Sequence, residues 1–288
     1  MKISELLHTG NITFSCEIFP PKPGADISRM WEVVQGIAEL SPDFISVTYG
    51  AGGSTSKRTE EIAVRIQEQH HIPALAHLTC VSSTREDIRR QLASFQEKGI
   101  ENILALRGDI PQDSDFPIGA HYQHAYELIQ DIKSQGDFCI GGACYPEGHV
   151  ECESREEDID HLKQKMECGC DFFTTQMFFD NNMLYNFLYR TLAKGIEVPI
   201  IAGIMPVTNA RQVKRSCELS GSTLPARFLR MAERFSHDPA SMKQAGIAYA
   251  TEQIIDLIAN GVNHIHLYTM NKPEIAAAIV HNLSDILR

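Results

Sequence analysis

No apolar run in these 288 residues approaches the roughly 20 that a membrane-spanning helix needs. Positive charge is also scarce. The 26 Lys and Arg stand against 37 Asp and Glu, a formal charge of −11. An acidic chain with no basic run is poorly suited to nucleic acid or an anionic membrane surface. Any phosphate it holds must be met by a local cation or a helix N-terminus. The eight cysteines never form Cys-x-x-Cys, and only Cys168 and Cys170 stand close together. That spacing argues against disulfides and structural zinc, so no metal is expected and the thiols read as reduced, small apolar residues. The opening MKISELLHTG lacks the apolar stretch and cleavage site of a secretory signal, which points to the cytoplasm. Linkers and low-complexity stretches are missing too, so residues 1–288 read as one domain.

What is present is a long alternation. Hydrophobic content of 43% with 22% charged residues is enough for a large core. Eight short β-rich runs follow one another: TFSCEIF, FISVTYG, PALAHLTC, NILALRGD, FCIGGACYP, FFTTQMFF, PIIAGIM and HIHLYTM. Between them lie segments of helical spacing. In REDIRRQLASFQEKG, Ile88, Leu92 and Phe95 share a face before Gly99 stops the helix. In SREEDIDHLKQKMECG, Ile159, Leu162 and Met166 are placed inside. Strand alternating with helix eight times predicts a (β/α)₈ TIM barrel, with an extra helical excursion containing LPARFLRMAERF between strands 7 and 8.

Active sites of such barrels gather at the C-terminal ends of the strands. Near those ends stand Glu17, Thr48, Tyr49, His77, Arg107, Asp109, Tyr145, His149, Gln176 and Tyr268. Polar groups on nearly every strand predict a large site for extended ligands. Glu17 is the most informative, being a carboxylate between Cys16 and Ile18 in a run halted by Pro20 and Pro21. It reads equally well as a buried acid or as a rim glutamate paired with a lysine.

Several stretches together resemble the flavin-dependent 5,10-methylenetetrahydrofolate reductase family: EIFPPK, ISVTYGAGGS, AHLTC, ILALRGD, YPEGH, TTQMFFD, GIMPVTN and HLYTMNK, in order along almost the whole chain. The resemblance implies reduction of 5,10-methylenetetrahydrofolate to 5-methyltetrahydrofolate, feeding one-carbon metabolism and methionine synthesis. FAD would take hydride from NAD(P)H and pass it to the folate, the two ligands using one flavin face in turn. Identical subunits would assemble into a homo-oligomer. By the same resemblance FAD meets Thr48, Tyr49, Ala51, His77, Arg107, Gly108, Asp109, His124, Ala143, Tyr145, His149, Asp158, His161, Gln164 and Lys165. Glu17 and Asp109 are the catalytic pair, and substrate also meets Gln176, Gln212, Tyr268 and Lys272. Family members often carry tyrosine at 124, asparagine at 161, arginine at 164 and 272, and phenylalanine at 216. Here those positions hold His124, His161, Gln164, Lys272 and Ser216.

The chemistry suits these residue types. Opening the bridged folate ring needs a proton on the departing nitrogen, and burial disfavours the charged form of a carboxyl group that could supply it. Asp109, behind Gly108, could tune a flavin or favour a nearby iminium, or could cap the next helix. Arg107 fits a rim salt bridge as well as a phosphate. Lys165 and Asp158, seven residues apart, fall on one helix face. In YGAGGST, Thr55 replaces the last glycine of a dinucleotide fingerprint, so that motif reads as a loop. His264 and His266 share one side of a strand, where a core or rim role is the default. Two other readings stay open: a proline dehydrogenase-like flavin barrel, and a flavin- or folate-binding subunit of an electron-transfer complex.

Overall fold

A computed structural model describes residues 1–22, 24–49, 56–109, 121–209, 217 and 221–287. Its eight strands are β1 (Thr13–Ile18), β2 (Phe44–Val47), β3 (Ala74–Thr79), β4 (Asn102–Leu106), β5 (Cys139–Cys144), β6 (Phe172–Thr175), β7 (Ile200–Ile204) and β8 (His264–Tyr268). They close into a barrel in chain order, every neighbour parallel. Each of the eight β-rich runs holds one strand, and β2 and β4 stop before the polar ends of their runs. Tyr49 and Arg107 to Asp109 therefore lie in loops beyond β2 and β4.

The helices are α1 (Ile3–Leu7), α2 (Ser28–Ala38), α3 (Ser56–His70), α4 (Arg85–Glu97), α5 (Ala125–Gln135), α6 (Arg155–Glu167) and α7 (Asn181–Ala193). After β7 come α8 (Ala226–Phe235) and α9 (Pro239–Ala259), which form the excursion, and α10 (Pro273–Asn282) ends the chain. Helix α4 shows how locally these elements are set. Thr84 Oγ1 accepts from the Asp87 N–H and Asp87 Oδ2 accepts from the Thr84 N–H, both at 3.1 Å, a reciprocal cap. Its buried face is Ile88, Leu92 and Phe95, and Gly99 leaves the helix at φ +66. In α6 the inner face is Asp158, Ile159 and Leu162; Met166, expected inside, is half-buried. A carboxylate on the buried face of a helix is costly unless something nearby uses it.

Inside the barrel the side chains form two layers. The lower one is apolar: Phe44, Leu75, Leu104, Cys139, Phe172 and Ile201, one from each of β2 to β7. Helix α1 plugs it from below with Ile3 and Leu7. Space here is tight: a Cβ on Gly141 would meet Phe172 Cζ at 2.6 Å and Leu104 Cδ1 at 2.9 Å. Above that layer sit Ser15, Glu17, Ser46, His77, His266 and Tyr268, the floor of the barrel mouth. A second apolar cluster of Met177, Phe179, Val207, Phe228 and Met242 fixes the excursion against β6 and β7.

Because Phe172 is fully buried in the lower layer, Phe172→Ala should cost about 3–5 kcal/mol through lost transfer energy and a cavity. Chemical denaturation followed by circular dichroism checks this. A loss below about 1 kcal/mol would mean that the layer collapses around the gap.

Candidate active site

Glu17, next to last in β1, has its side chain turned inward and 19% exposed. Its apolar neighbours in sequence are not its neighbours in space. Cys16 and Ile18 point to the opposite face of the strand, among the core residues beneath the helices. What faces the carboxylate is polar. Glu17 Oε2 lies 3.6 Å from His77 Nε2 and 3.9 Å from His266 Nε2. The rim lysine partner is absent among the described residues. The backbone at Glu17 is held as well, its carbonyl accepting from Thr269 Oγ1 at 2.6 Å.

The two histidines differ. His266 is anchored, Nδ1 at 2.7 Å from Ser15 Oγ and Nε2 at 3.2 Å from Ser46 Oγ, with its ring stacked on Phe44 of the lower layer. His77 Nε2 is buried with no hydrogen-bond partner. Burial pushes His77 down to about 4, although Glu17 opposes the shift, so near neutral pH it is uncharged and no fixed cation faces the carboxylate. Tyr268 completes the floor. Its hydroxyl donates to the Thr175 carbonyl at 2.5 Å, and it needs Gly203 beside it, where a Cβ would come within 2.6 Å of the Tyr268 oxygen.

One strand links this floor to a cleft. On β3, His77 and Thr79 point the same way, about 7 Å apart at roughly 3.3 Å per residue, and Thr79 lines a cleft of ≈ 560 Å³. The cleft brings together Tyr49, Arg107, Gly108, Asp109, His124, Ala143, Tyr145, His149, Asp158, His161, Gln164 and Lys165. Thr48 lies outside its walls and serves the backbone, its carbonyl accepting from Thr59 Oγ1 at 2.9 Å. Ala51 and Gln212 lie outside the described residues, as do Gly50, Gly52, Thr55 and Ser216 of the sequence reading.

The charged groups of the cleft are arranged for different tasks. Lys165 Nζ donates to the Ala143 carbonyl at 3.0 Å, and burial holds its ammonium below the ordinary lysine value. It is no surface salt bridge. Burial raises the Asp158 carboxyl on the same face of α6, while Lys165 opposes that shift. Arg107 forms a two-pronged pair with Glu151, at 2.5 and 2.7 Å. Gly108 adopts φ +86 with Thr79 so close that a Cβ would sit 2.9 Å from it, leaving bare backbone in the wall. Asp109 is exposed at the rim, and the cap of the next described helix is His124 rather than Asp109. The rings of Tyr145 and His149 meet edge-on at 4.6 Å.

Besides Glu17 and Tyr268 on the floor, two more expected substrate residues stand outside the cleft walls, Gln176 and Lys272. Gln176 follows β6, its Oε1 accepting from the Met177 N–H at 3.0 Å, which leaves the amide NH₂ available. Lys272 Nζ donates to Thr208 Oγ1 at 3.2 Å. Sequence reasoning assigned His266 only a core or rim role and did not tie it to the site, although Tyr268, two residues on, had been named and must share its face. Glu151 had no signal at all, because its role depends on where a loop returns.

The methylenetetrahydrofolate reductase family model matches residues 2–284. A 5,10-methylenetetrahydrofolate reductase from Pectobacterium carotovorum subsp. carotovorum is 36% identical over 274 residues, 95% of this chain and 91% of its own. That of Escherichia coli (strain K12) is 35% identical over the same shares. Methylenetetrahydrofolate reductase (NADH) 1 of Arabidopsis thaliana is 34% identical over 298 residues, 99% of this chain and 50% of its own. Among solved structures, an uncharacterized protein from Clostridium thermocellum that binds two copies of 5-methyl-5,6,7,8-tetrahydrofolic acid is similar at TM-score 0.63 and 16% identity, covering 100% of this chain and 99% of that one. At that identity the likeness concerns the fold.

The state of His77 has a measurable consequence. Unfolded, it binds a proton below its ordinary 6.5; folded, only near 4. The unfolded chain therefore holds more protons in between, and stability falls as pH drops through that window. The contribution is complete above about pH 6.5 and amounts to about 3 kcal/mol once lost. In His77→Asn, the drop in denaturation midpoint between about pH 7 and pH 4.5 should shrink accordingly. Equal drops in both proteins would place the proton uptake elsewhere.

Proposed function

The chain belongs to the methylenetetrahydrofolate reductase family, and on that premise we propose that it binds FAD in the cleft and reduces 5,10-methylenetetrahydrofolate to 5-methyltetrahydrofolate with electrons from NADH or NADPH. The product would supply methyl groups for methionine synthesis. A single catalytic domain over residues 1–288, a homo-oligomeric assembly and a cytoplasmic location belong to the same reading.

The cleft walls suit a flavin dinucleotide. Bare backbone at Gly108 allows a flat ring to approach, and Tyr145 and His149 offer aromatic edges. Lys165 keeps its ammonium enclosed with donors to spare, which suits a phosphate in an otherwise acidic chain. The unpartnered His77 Nε2 is a buried polar atom that a ligand at the mouth would satisfy. Bound there, the flavin would carry hydride from the nicotinamide to the folate.

The chain's own residues would do the rest. The observation that carries the proposal is Glu17, a carboxyl group at the barrel mouth opposite an uncharged histidine. It would hand its proton to the departing nitrogen of the bridged folate. The iminium left behind is a cation, and Asp109 at the cleft rim would favour it by charge. Glu17, part-exposed at the mouth, would take its proton back from solvent. Gln176, with its NH₂ free, would hydrogen-bond whichever ligand occupies the mouth.

In Glu17→Gln, reduction of the bound flavin by NAD(P)H should proceed at nearly the normal rate while folate turnover falls by at least about 100-fold, the usual scale for losing a general acid. Stopped-flow measurement of the two half-reactions separates them. If both survive, Glu17 is not the acid. If methyltetrahydrofolate fails to bleach the wild-type flavin, the chain only binds it.

One shared mouth also predicts the kinetics. Parallel double-reciprocal lines are expected, with inhibition by excess folate. Gln176→Leu should weaken donor and folate alike, by about 1–3 kcal/mol each where a buried partner is left unpaired. Intersecting lines, or a variant that loses folate alone, would require two separate sites.

A further inference from the structure

Beyond β1 the chain runs into Pro20 and Pro21, which have no N–H to offer a neighbouring strand. Pairing with β8 stops at Glu17 beside Tyr268. The backbone of Phe19 is nevertheless held on both sides by one side chain. Its N–H donates to Asn271 Oδ1 at 3.0 Å, and its carbonyl accepts from Asn271 Nδ2 at 2.8 Å. That reciprocal pair fixes which end of the amide is which, since a flipped amide would set donor against donor. Thr269 Oγ1, which donates to the Glu17 carbonyl, also accepts from the Asn271 N–H at 3.2 Å. Side chains after β8 thus continue the β1 pairing where the backbone has ceased to. We propose that Asn271 is the positioning residue of Glu17, fixing the backbone on the far side of the acid so that its carboxyl group is aimed into the mouth. The role rests on the reductase reading above.

The turn that presents Asn271 is strained. The Lys272 N–H donates to the Thr269 carbonyl at 3.0 Å, and both residues in between are left-handed, Met270 and Asn271 each at φ +53. Asparagine takes up that backbone readily, but methionine does so at a cost. Such strain persists where the surroundings over-determine it, and it gathers at functional sites. Here the turn is bound at its root, with Thr269 only 2% exposed, and at its tip through the two bonds to Phe19. Farther along, Arg58 donates to the carbonyls of Pro21, Lys22 and Ala25 at 3.2, 3.0 and 3.1 Å. That part of the segment is held independently, so Asn271 governs the residues nearest the acid.

The acid needs such a hold. His77 and His266, at 3.6 and 3.9 Å, are too far from Glu17 Oε2 to hold it by hydrogen bonds. Its aim therefore depends on where its backbone is fixed. A displacement of about 1 Å in a group that must meet a substrate atom can cost about 100-fold in rate.

The two half-reactions of the flavin-loaded, full-length chain would be followed by stopped flow in Asn271→Gly, which removes the amide and suits a left-handed backbone. Oxidation of the reduced flavin by methylenetetrahydrofolate should slow at least ~10-fold, while flavin reduction by NAD(P)H stays within about 2-fold of wild type. In a Glu17→Gln background the same substitution should add nothing, because Asn271 acts through the acid. Met270→Gly, which relaxes the strained residue and keeps the amide, should leave both steps near wild type. Equal slowing of both half-reactions, a loss that adds fully to that of Glu17→Gln, or an unchanged folate step overturns the role. Should Asn271→Gly fail to fold, as judged by circular dichroism, Asn271→Asp decides: it keeps the acceptor for the Phe19 N–H, loses the donor, and must slow the folate step selectively. A wild-type flavin that methyltetrahydrofolate does not bleach removes the reductase reading and this role with it. A wild type that bleaches beside an Asn271→Gly variant that bleaches equally fast removes this role alone.

Discussion

A side chain on a strand of a closed barrel faces either the surrounding helices or the interior. On β1, Cys16 and Ile18 take the helix side, so Ser15 and Glu17 must take the interior. On β8, Ile265 and Leu267 join the outer core, and His266 and Tyr268 are turned inward. The register then does the matching: Ser15 stands beside His266, and Glu17 beside Tyr268. A slip of one residue in β1 would turn the acid outward, and a slip in β8 would turn His266 and Tyr268 outward. The barrel interior is thus both packing and chemistry, and the apolar layer of Phe44, Leu104 and Phe172 is the base on which the polar layer rests.

That arrangement sets the electrostatics. His77, on β3 between β2 and β4, is buried with no hydrogen-bond partner at Nε2, and burial takes its charge. His266 sits as deep, yet both its nitrogens have serine partners. Two histidines facing one carboxylate are therefore unlike. One is fixed by hydrogen bonds, and the other is available to whatever enters the mouth.

The order and position of all eight strands were legible because each is a short β-rich run bounded by polar or turn residues. The inner face of α4 was legible from spacing, and that of α6 at Ile159 and Leu162 but not at Met166 or Asp158. The nature of the Glu17 neighbourhood was not. Flanking residues in sequence suggested apolar contacts, whereas on a strand the immediate neighbours are the residues that point away. The partners that count, His77 and His266, lie 60 and 249 positions along the chain. For the same reason the hold of Glu151 on Arg107 could be seen only once the loop after β5 had a path. Ala51 and Gln212 fall outside the described residues, so the structure does not bear on them.

The Arg107–Glu151 pair carries a consequence for how the cleft fills. Glu151 is exposed and Arg107 half-buried, and a pair with one exposed partner is worth about 1 kcal/mol, so an arriving anion can replace this carboxylate at small cost. Until then the guanidinium is neutralised by its own chain and kept at one edge of the opening. Docking at this edge is an exchange of one anion for another rather than a simple capture. The displaced Glu151 then adds its charge to an already acidic surface, which speeds the escape of weakly held anions and leaves those with several anchoring points in place.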